Sequence, residues 1–260
     1  MRAAMACGLV LLLLCQAACQ HDASTREALA LEPARNAFLH GAYLQAEELY
    51  QHYLQTHAKG PFRAEAWQRL ADINQYVRNT PEKTVTLLET GLLEFEANPE
   101  LSRQFRLRIA RLRLQMHEYD AAARSYSQLL ADPPLDPSLS AALFQEFSQA
   151  SLQAGHPGTA LGLLRTCRQT LPSGPPRFDC SLSLARLFVQ QNQLAEAESL
   201  LHELYEDPAA PPASQGQAGF LLAMLLENRL DRTQAKSIYH KILAYYPNPL
   251  AVQIRLRHLQ

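Results

Sequence analysis

The chain has 260 residues, 47% of them hydrophobic and 19% charged, with a formal net charge of −1. The near balance of 24 basic and 25 acidic residues argues against a nucleic-acid binder that works by neutralising phosphates. Composition points instead to a protein or peptide partner.

Residues 1–18 open with a short basic start, Met1-Arg2, followed by Ala3 to Leu14, apolar apart from glycine. This run is too short to span about 30 Å of hydrocarbon, so a secretory signal is expected in place of a transmembrane helix. Ala17-Ala18-Cys19 resembles the end of a bacterial lipobox, whose cysteine becomes the lipidated first residue of the mature protein. Gln16 departs from the aliphatic residue usual there, which leaves an ordinary cut near Ala18 open as the alternative. The resemblance implies a lipid on Cys19 and a short tether over 19–29. Gln20 after the cysteine implies an outer-membrane address facing the periplasm.

Residues 30–260 repeat one unit. Ala46, Thr84, Ala122, Ala160, Ala197 and Ala235 fall 38, 38, 38, 37 and 38 residues apart. A second small-residue series, Ala34, Ala71, Ala110, Ser148, Ala185 and Ala223, runs twelve residues ahead in nearly every unit. A fixed period of this size is the signature of a stacked repeat array. Two small residues on two helical stretches predict a hairpin of closely crossing helices. Pro33 falls inside the first helix of the first unit, so that helix is expected to begin at Glu32-Pro33 and to be short.

Trp67-x-x-Leu70-Ala71 and Gly41-x-Tyr43-x-x-Ala46-x-x-x-Tyr50-x-x-Tyr53 resemble the first helix, turn and second helix of the tetratricopeptide repeat (TPR) family. Ala160-x-x-x-Leu164-x-x-Cys167 before Pro172, and Ala235-x-x-x-Tyr239-x-x-Ile242 before Pro247, repeat the second half with its closing proline. The resemblance implies an all-α, right-handed superhelical solenoid of six hairpins plus a C-terminal capping helix. The period exceeds the usual ~34 residues. The surplus is placed in the proline-rich turns at 132–137, 172–176 and 207–212.

The first helix of the third unit carries Arg103, Arg106, Arg108, Arg111 and Arg113. Helical spacing puts Phe105, Ile109, Leu112 and Met116 on one face and Leu107 and Leu114 nearly opposite. The arginines then fill the edges between two buried stripes, their stems covering apolar surface; the alternative is a local basic site for an acidic peptide or a lipid headgroup.

In TPR proteins the first helix of each unit lines a groove. Residues four apart on those helices give Leu107-Arg111-Gln115, Gln145-Gln149-Gln153, Leu182-Arg186-Gln190 and Phe220-Met224-Asn228, with Gln75 extending the series upstream. Each series ends on an amide, which offers both donors and an acceptor to an extended backbone, and Arg111 and Arg186 add charge-assisted contacts to carboxylates. The plainer alternative is that a wet groove tolerates glutamine because it is polar and forms helix well.

Only Cys167 and Cys180 remain in the array once the leader cysteines are set aside. They straddle the turn from the fourth to the fifth unit, where export permits a disulfide and a buried thiol at Cys167 packs equally well. HExxH, paired CxxC, a glycine-rich phosphate loop and GxSxG are all missing from the sequence, so no enzyme, cofactor, metal or small-molecule substrate is expected. Residues 249–260 form an amphipathic segment able to cover the last hairpin. The expected function is a non-catalytic scaffold of the bacterial envelope, lipid-anchored to the outer membrane. TPR lipoproteins of similar size assist β-barrel assembly or place type IV pilus secretins. A soluble periplasmic or secreted adaptor, or a regulator of a cell-wall enzyme, are the alternatives.

Overall fold

A computed structural model of the chain describes residues 26–132 and 135–259. The expected signal and Cys19 lie outside the described residues. Among those described there are thirteen helices and no strand.

The chain divides into two compact units, 1–116 and 117–260. The first holds α1 (26–39), α2 (Tyr43–Thr56), α3 (Arg63–Asp72, prolonged by a π-helical turn at Ile73–Val77), α4 (Pro81–Glu94) and α5 (Pro99–Gln115). The second opens with α6 (Tyr119–Ala131), α7 (Pro137–Gln153), α8 (Pro157–Thr170) and α9 (Pro175–Gln190). It continues with α10 (Leu194–Glu206), α11 (Pro212–Asn228), α12 (Arg232–Ile242) and α13 (Pro249–His258). Within each unit the helices pack mainly against their neighbours in sequence.

Both small-residue series are buried throughout, no member more than 5% exposed. The hydroxyl of Ser148 donates to the carbonyl oxygen of Ala160 at 3.1 Å, so in α7 and α8 the two series touch. One turn beyond the first series, Tyr50, Leu88, Tyr126, Leu164, Leu201 and Tyr239 fill the core, none more than 3% exposed. The leucines among them contribute roughly 1.5–3 kcal/mol each through burial. Gly219 marks an even closer crossing. A Cβ there would lie 2.8 Å from the ring of Tyr205 on α10 and 2.9 Å from Cγ2 of Ile242 on α12.

Proline supplies the first residue of α4, α5, α7, α8, α9, α11 and α13, where its missing amide costs no helical hydrogen bond. Side chains cap several starts: Asn98 accepts from the Leu101 amide, and Asp136 from the amides of Ser138 and Leu139. The tight turns obey the repeat too. Gly41, Asn79, His117, Gly155, Asn192 and Leu230 all have positive φ, and they recur at the same period as the small residues. This left-handed residue lets the next amide reach back, as Ala42, His156, Gln193 and Asp231 do to carbonyls five residues earlier.

The first helix corrects a sequence expectation. It does not begin at Glu32-Pro33; α1 already runs from residue 26, through what was expected to be tether. Pro33 lies on its exposed face while Leu31, Ala34 and Ala37 are buried. The carbonyl that the proline ring deprives of a partner can therefore be hydrated, and packing of the opposite face holds the helix.

One repeat departs from the twelve-residue spacing. Ala71 and Thr84 lie thirteen apart, and α3 between them contains the π-helical turn. A π turn absorbs one extra residue without shifting the helix on either side, so both small residues keep their buried places. Cys167 and Cys180 are joined by a disulfide with Cα atoms 6.0 Å apart. The bond ties α8 to α9, and both cysteines are fully buried in a cluster with Ala141 and Leu171. At the far end α13 covers the second unit's core with Val252 and Leu256.

Leu230 is the one residue of the turn series whose side chain makes a left-handed conformation costly, at φ 65°. Leu230→Gly should raise the unfolding free energy by about 1 kcal/mol, since the side chain is 77% exposed and little packing is lost. Urea denaturation compared with wild type checks this; an unchanged or lower midpoint contradicts it.

Candidate functional site

Each unit carries a depression between successive first helices. In the first unit it lies between α3 and α5, holds about 410 Å3, and is lined by Asp72, Gln75, Tyr76, Gln104, Leu107, Arg108, Arg111 and Gln115. In the second it lies between α7 and α9, holds about 340 Å3, and is lined by Gln145, Gln149, Leu152, Gln153, Ser183, Arg186, Leu187 and Gln190. A larger hollow of about 550 Å3 lies over α8 and α10. There Arg168 pairs with Glu203 at 2.5 and 2.7 Å and the Arg165 guanidinium sits 5.5 Å from the Phe188 ring, so these polar groups are already engaged with each other.

The first depression is built around Arg108. Its guanidinium bonds Asp72 at 2.8 Å, donates to the Gln75 side-chain oxygen at 2.9 and 2.7 Å, and lies 5.8 Å from the centre of the Tyr76 ring. Gln75 is thus oriented by an arginine 33 residues away. In the second depression the Gln149, Gln153, Arg186 and Gln190 side chains are exposed, and Arg186 donates to Gln217 at 3.1 Å.

Ion pairs one repeat apart brace the first unit. Glu65 accepts from Arg35 at 2.8 and 2.6 Å, and Glu94 accepts from Arg63 and from the Trp67 indole. Glu47, only 5% exposed, accepts from Arg78 at 2.8 Å and Lys83 at 3.2 Å. The Arg35 hydrogen bonds hold the Glu65 carboxyl below the usual carboxylate range, and those of Arg63 and then Trp67 do the same for Glu94. For Glu47 burial works against ionisation, yet the hydrogen bonds and charges of Arg78 and Lys83 prevail and lower it as well. In the second unit burial raises Asp179.

Residues 217–249, which span most of α11 and all of α12, match the family model of the tetratricopeptide repeat. No curated protein matches the chain by sequence. Among solved structures, the C-terminal part of a TPR repeat-containing protein from Cytophaga hutchinsonii is 14% identical, with a TM-score of 0.65 over 88% of this chain and 87% of that one. BtubC from P. vanneervenii is 17% identical at a TM-score of 0.53, covering 88% and 94%. PilF from Pseudomonas aeruginosa is 16% identical at 0.52, covering 91% and 99%. The fold is a tetratricopeptide repeat fold.

Within the TPR framework, the structure brings Gln75, Leu107, Arg111 and Gln115 around one depression and Gln149, Gln153, Arg186 and Gln190 around the other. Met224, half-buried, and Asn228, exposed, sit on α11 outside the second depression. Two members of the series face the core instead. Leu182 is 5% exposed, and Phe220 stacks on Tyr246 at 4.8 Å and meets Tyr239 edge-on at 5.6 Å. On α5 only one stripe is buried, since Leu107 and Leu114 remain half-exposed. The arginines there are largely engaged: Arg103 with Glu100 at 3.4 Å, Arg108 with Asp72, and Arg113 with Glu89 at 2.5 Å. Asp72, Tyr76, Gln104 and Arg108 are not among the groove residues read from spacing; of these only Tyr76 lies on the turn that the thirteen-residue interval between Ala71 and Thr84 marks.

Among the described residues no helix is long and apolar enough to cross a membrane, and no three His, Cys, Asp or Glu gather as metal ligands.

Carboxylates held below their ordinary pKa lend stability that is present above that value and is lost as pH falls through the folded one. Glu47, Glu65 and Glu94 all lie in the first unit, whereas raised Asp179 makes the second unit favour the acidic side. Hydrogen-exchange protection should therefore fall more in 26–116 than in 117–259 between pH 7 and about pH 3. Equal loss in both units contradicts the assignment.

Proposed function

We propose that the chain is a non-catalytic binding scaffold of the cell envelope, holding extended segments of partner proteins against the paired depressions. The observation that carries this reading is the recurrence of one lining in both units: side-chain amides with an arginine, between successive first helices, around Arg111 in one and Arg186 in the other. Amides serve a backbone of any sequence because they donate and accept, and arginine adds recognition of carboxylates. The TPR fold supports a role in protein association. Attachment to the outer membrane through a lipid on Cys19 belongs to the same reading and rests on the sequence of the leader.

Two variants test the depressions in envelope extract: Arg111→Ala with Arg186→Ala, and Gln115→Ala with Gln153→Ala and Gln190→Ala. Each should reduce recovery of cross-linked partners at least fivefold, about 1 kcal/mol of binding, while the melting temperature stays within a few degrees. Full recovery with both variants would place the binding surface elsewhere.

The anchor is tested separately. Cys19→Ala should move the protein from the membrane to the soluble fraction and abolish labelling by a fatty-acid analogue. Unchanged fractionation removes the lipid from the proposal.

A further inference from the structure

The extra residue in α3 does more than lengthen a helix. Counted five residues on from the small residue of each first helix, the later repeats present Gln115, Gln153, Gln190 and Asn228, all of them amides. The second repeat presents Tyr76 at that place, on the π-helical turn. The ring is 73% exposed, and Val77 beside it is 49% exposed. An exposed aromatic ring there departs from the amides of the later repeats and brings apolar surface to the edge of the depression.

The platform is also fixed in place. Arg108 lies 5.8 Å from the Tyr76 ring centre, and the same guanidinium is pinned by Asp72 at 2.8 Å and by Gln75 at 2.9 and 2.7 Å. Asn74, fully buried, anchors the turn from beneath by donating to the Leu70 carbonyl at 2.8 Å, and its own carbonyl accepts from the Thr80 amide at 2.9 Å. Across the depression Leu107 offers a half-buried aliphatic wall. The charged side chains of the lining are two arginines and one aspartate, so it carries net positive charge.

Resting on the scaffold reading above, we infer that this depression is an aromatic-selective subsite. It takes a Phe, Tyr or Trp side chain of a bound segment against Tyr76 and Leu107, with an acidic residue of that segment nearby. The chemistry follows from the parts: offset or edge-on ring contacts favour an aromatic guest over an aliphatic one, the held geometry lowers the ordering cost of binding, and the net positive lining favours an acidic segment. The second unit's depression has no aromatic lining residue and reads backbone and carboxylate alone.

The test uses a phage-displayed library of random dodecapeptides selected on the full-length chain in detergent. Selected peptides should be enriched at least fivefold over the starting library in an aromatic residue within three positions of Asp or Glu. Tyr76→Ala should abolish that enrichment and Tyr76→Phe should keep it. Gln51→Ala, an exposed change on α2 outside both depressions, should leave it intact. Both Tyr76 variants should melt with wild type, since the ring is mostly in solvent. Enrichment that survives Tyr76→Ala overturns the subsite. Selection of peptides without aromatic enrichment overturns it too, while leaving the scaffold reading standing; failure to select any peptide counts against both.

Discussion

Everything in this chain depends on two helices crossing so closely that only small side chains fit between them. Alanine, serine or threonine stands at twelve positions, and the contact is direct where the Ser148 hydroxyl meets the Ala160 carbonyl. Any larger side chain there forces the helices apart, because packed interiors yield little to added volume. The large residues one turn away, among them Tyr50, Tyr126 and Tyr239, then find their depth already set. The hairpin angle, the core and the position of the exposed first-helix surface are thus consequences of a few missing methyl groups.

Neighbouring repeats are joined in a different manner. Arg35 with Glu65, Arg78 with Glu47 and Arg168 with Glu203 link residues 30, 31 and 35 apart, about one repeat. Such pairs reach only the adjoining hairpin, as expected for an array whose stability is a sum of units and nearest-neighbour interfaces. Individually, exposed pairs of this sort add little. Glu47 is different, because it is nearly buried and would be costly to leave without Arg78 and Lys83.

Helix content, pairing and the small-residue series were legible in the sequence because period and residue size are properties of the chain itself. The groove was legible only in part. Gln149, Gln153, Arg186 and Gln190 followed from helical spacing, but Leu182 and Phe220 share that spacing and turn inward, where Tyr239 and Tyr246 receive the Phe220 ring. A sequence period says which residues are equivalent and cannot say how far each helix is rotated. Pro33 misled for a related reason. A helix breaker on a solvated face is tolerated when the opposite face is packed, and that packing partner lies in another helix. Asp72 and Arg108 are paired across a repeat, and no local pattern announces such a pair.

The disulfide between α8 and α9 has a mechanical consequence. It joins the end of one hairpin to the beginning of the next across a loop of sequence separation 13. A force that draws the two ends of the second unit apart can unravel helices on either side, but it passes through the sulfur atoms and never loads the turn they enclose. Pro172, Ser173 and Gly174 are shielded from extension for as long as the bond lasts. Reduction would return that slack to the chain in a single step, making the joint between these two hairpins sensitive at once to tension and to the redox state of its surroundings.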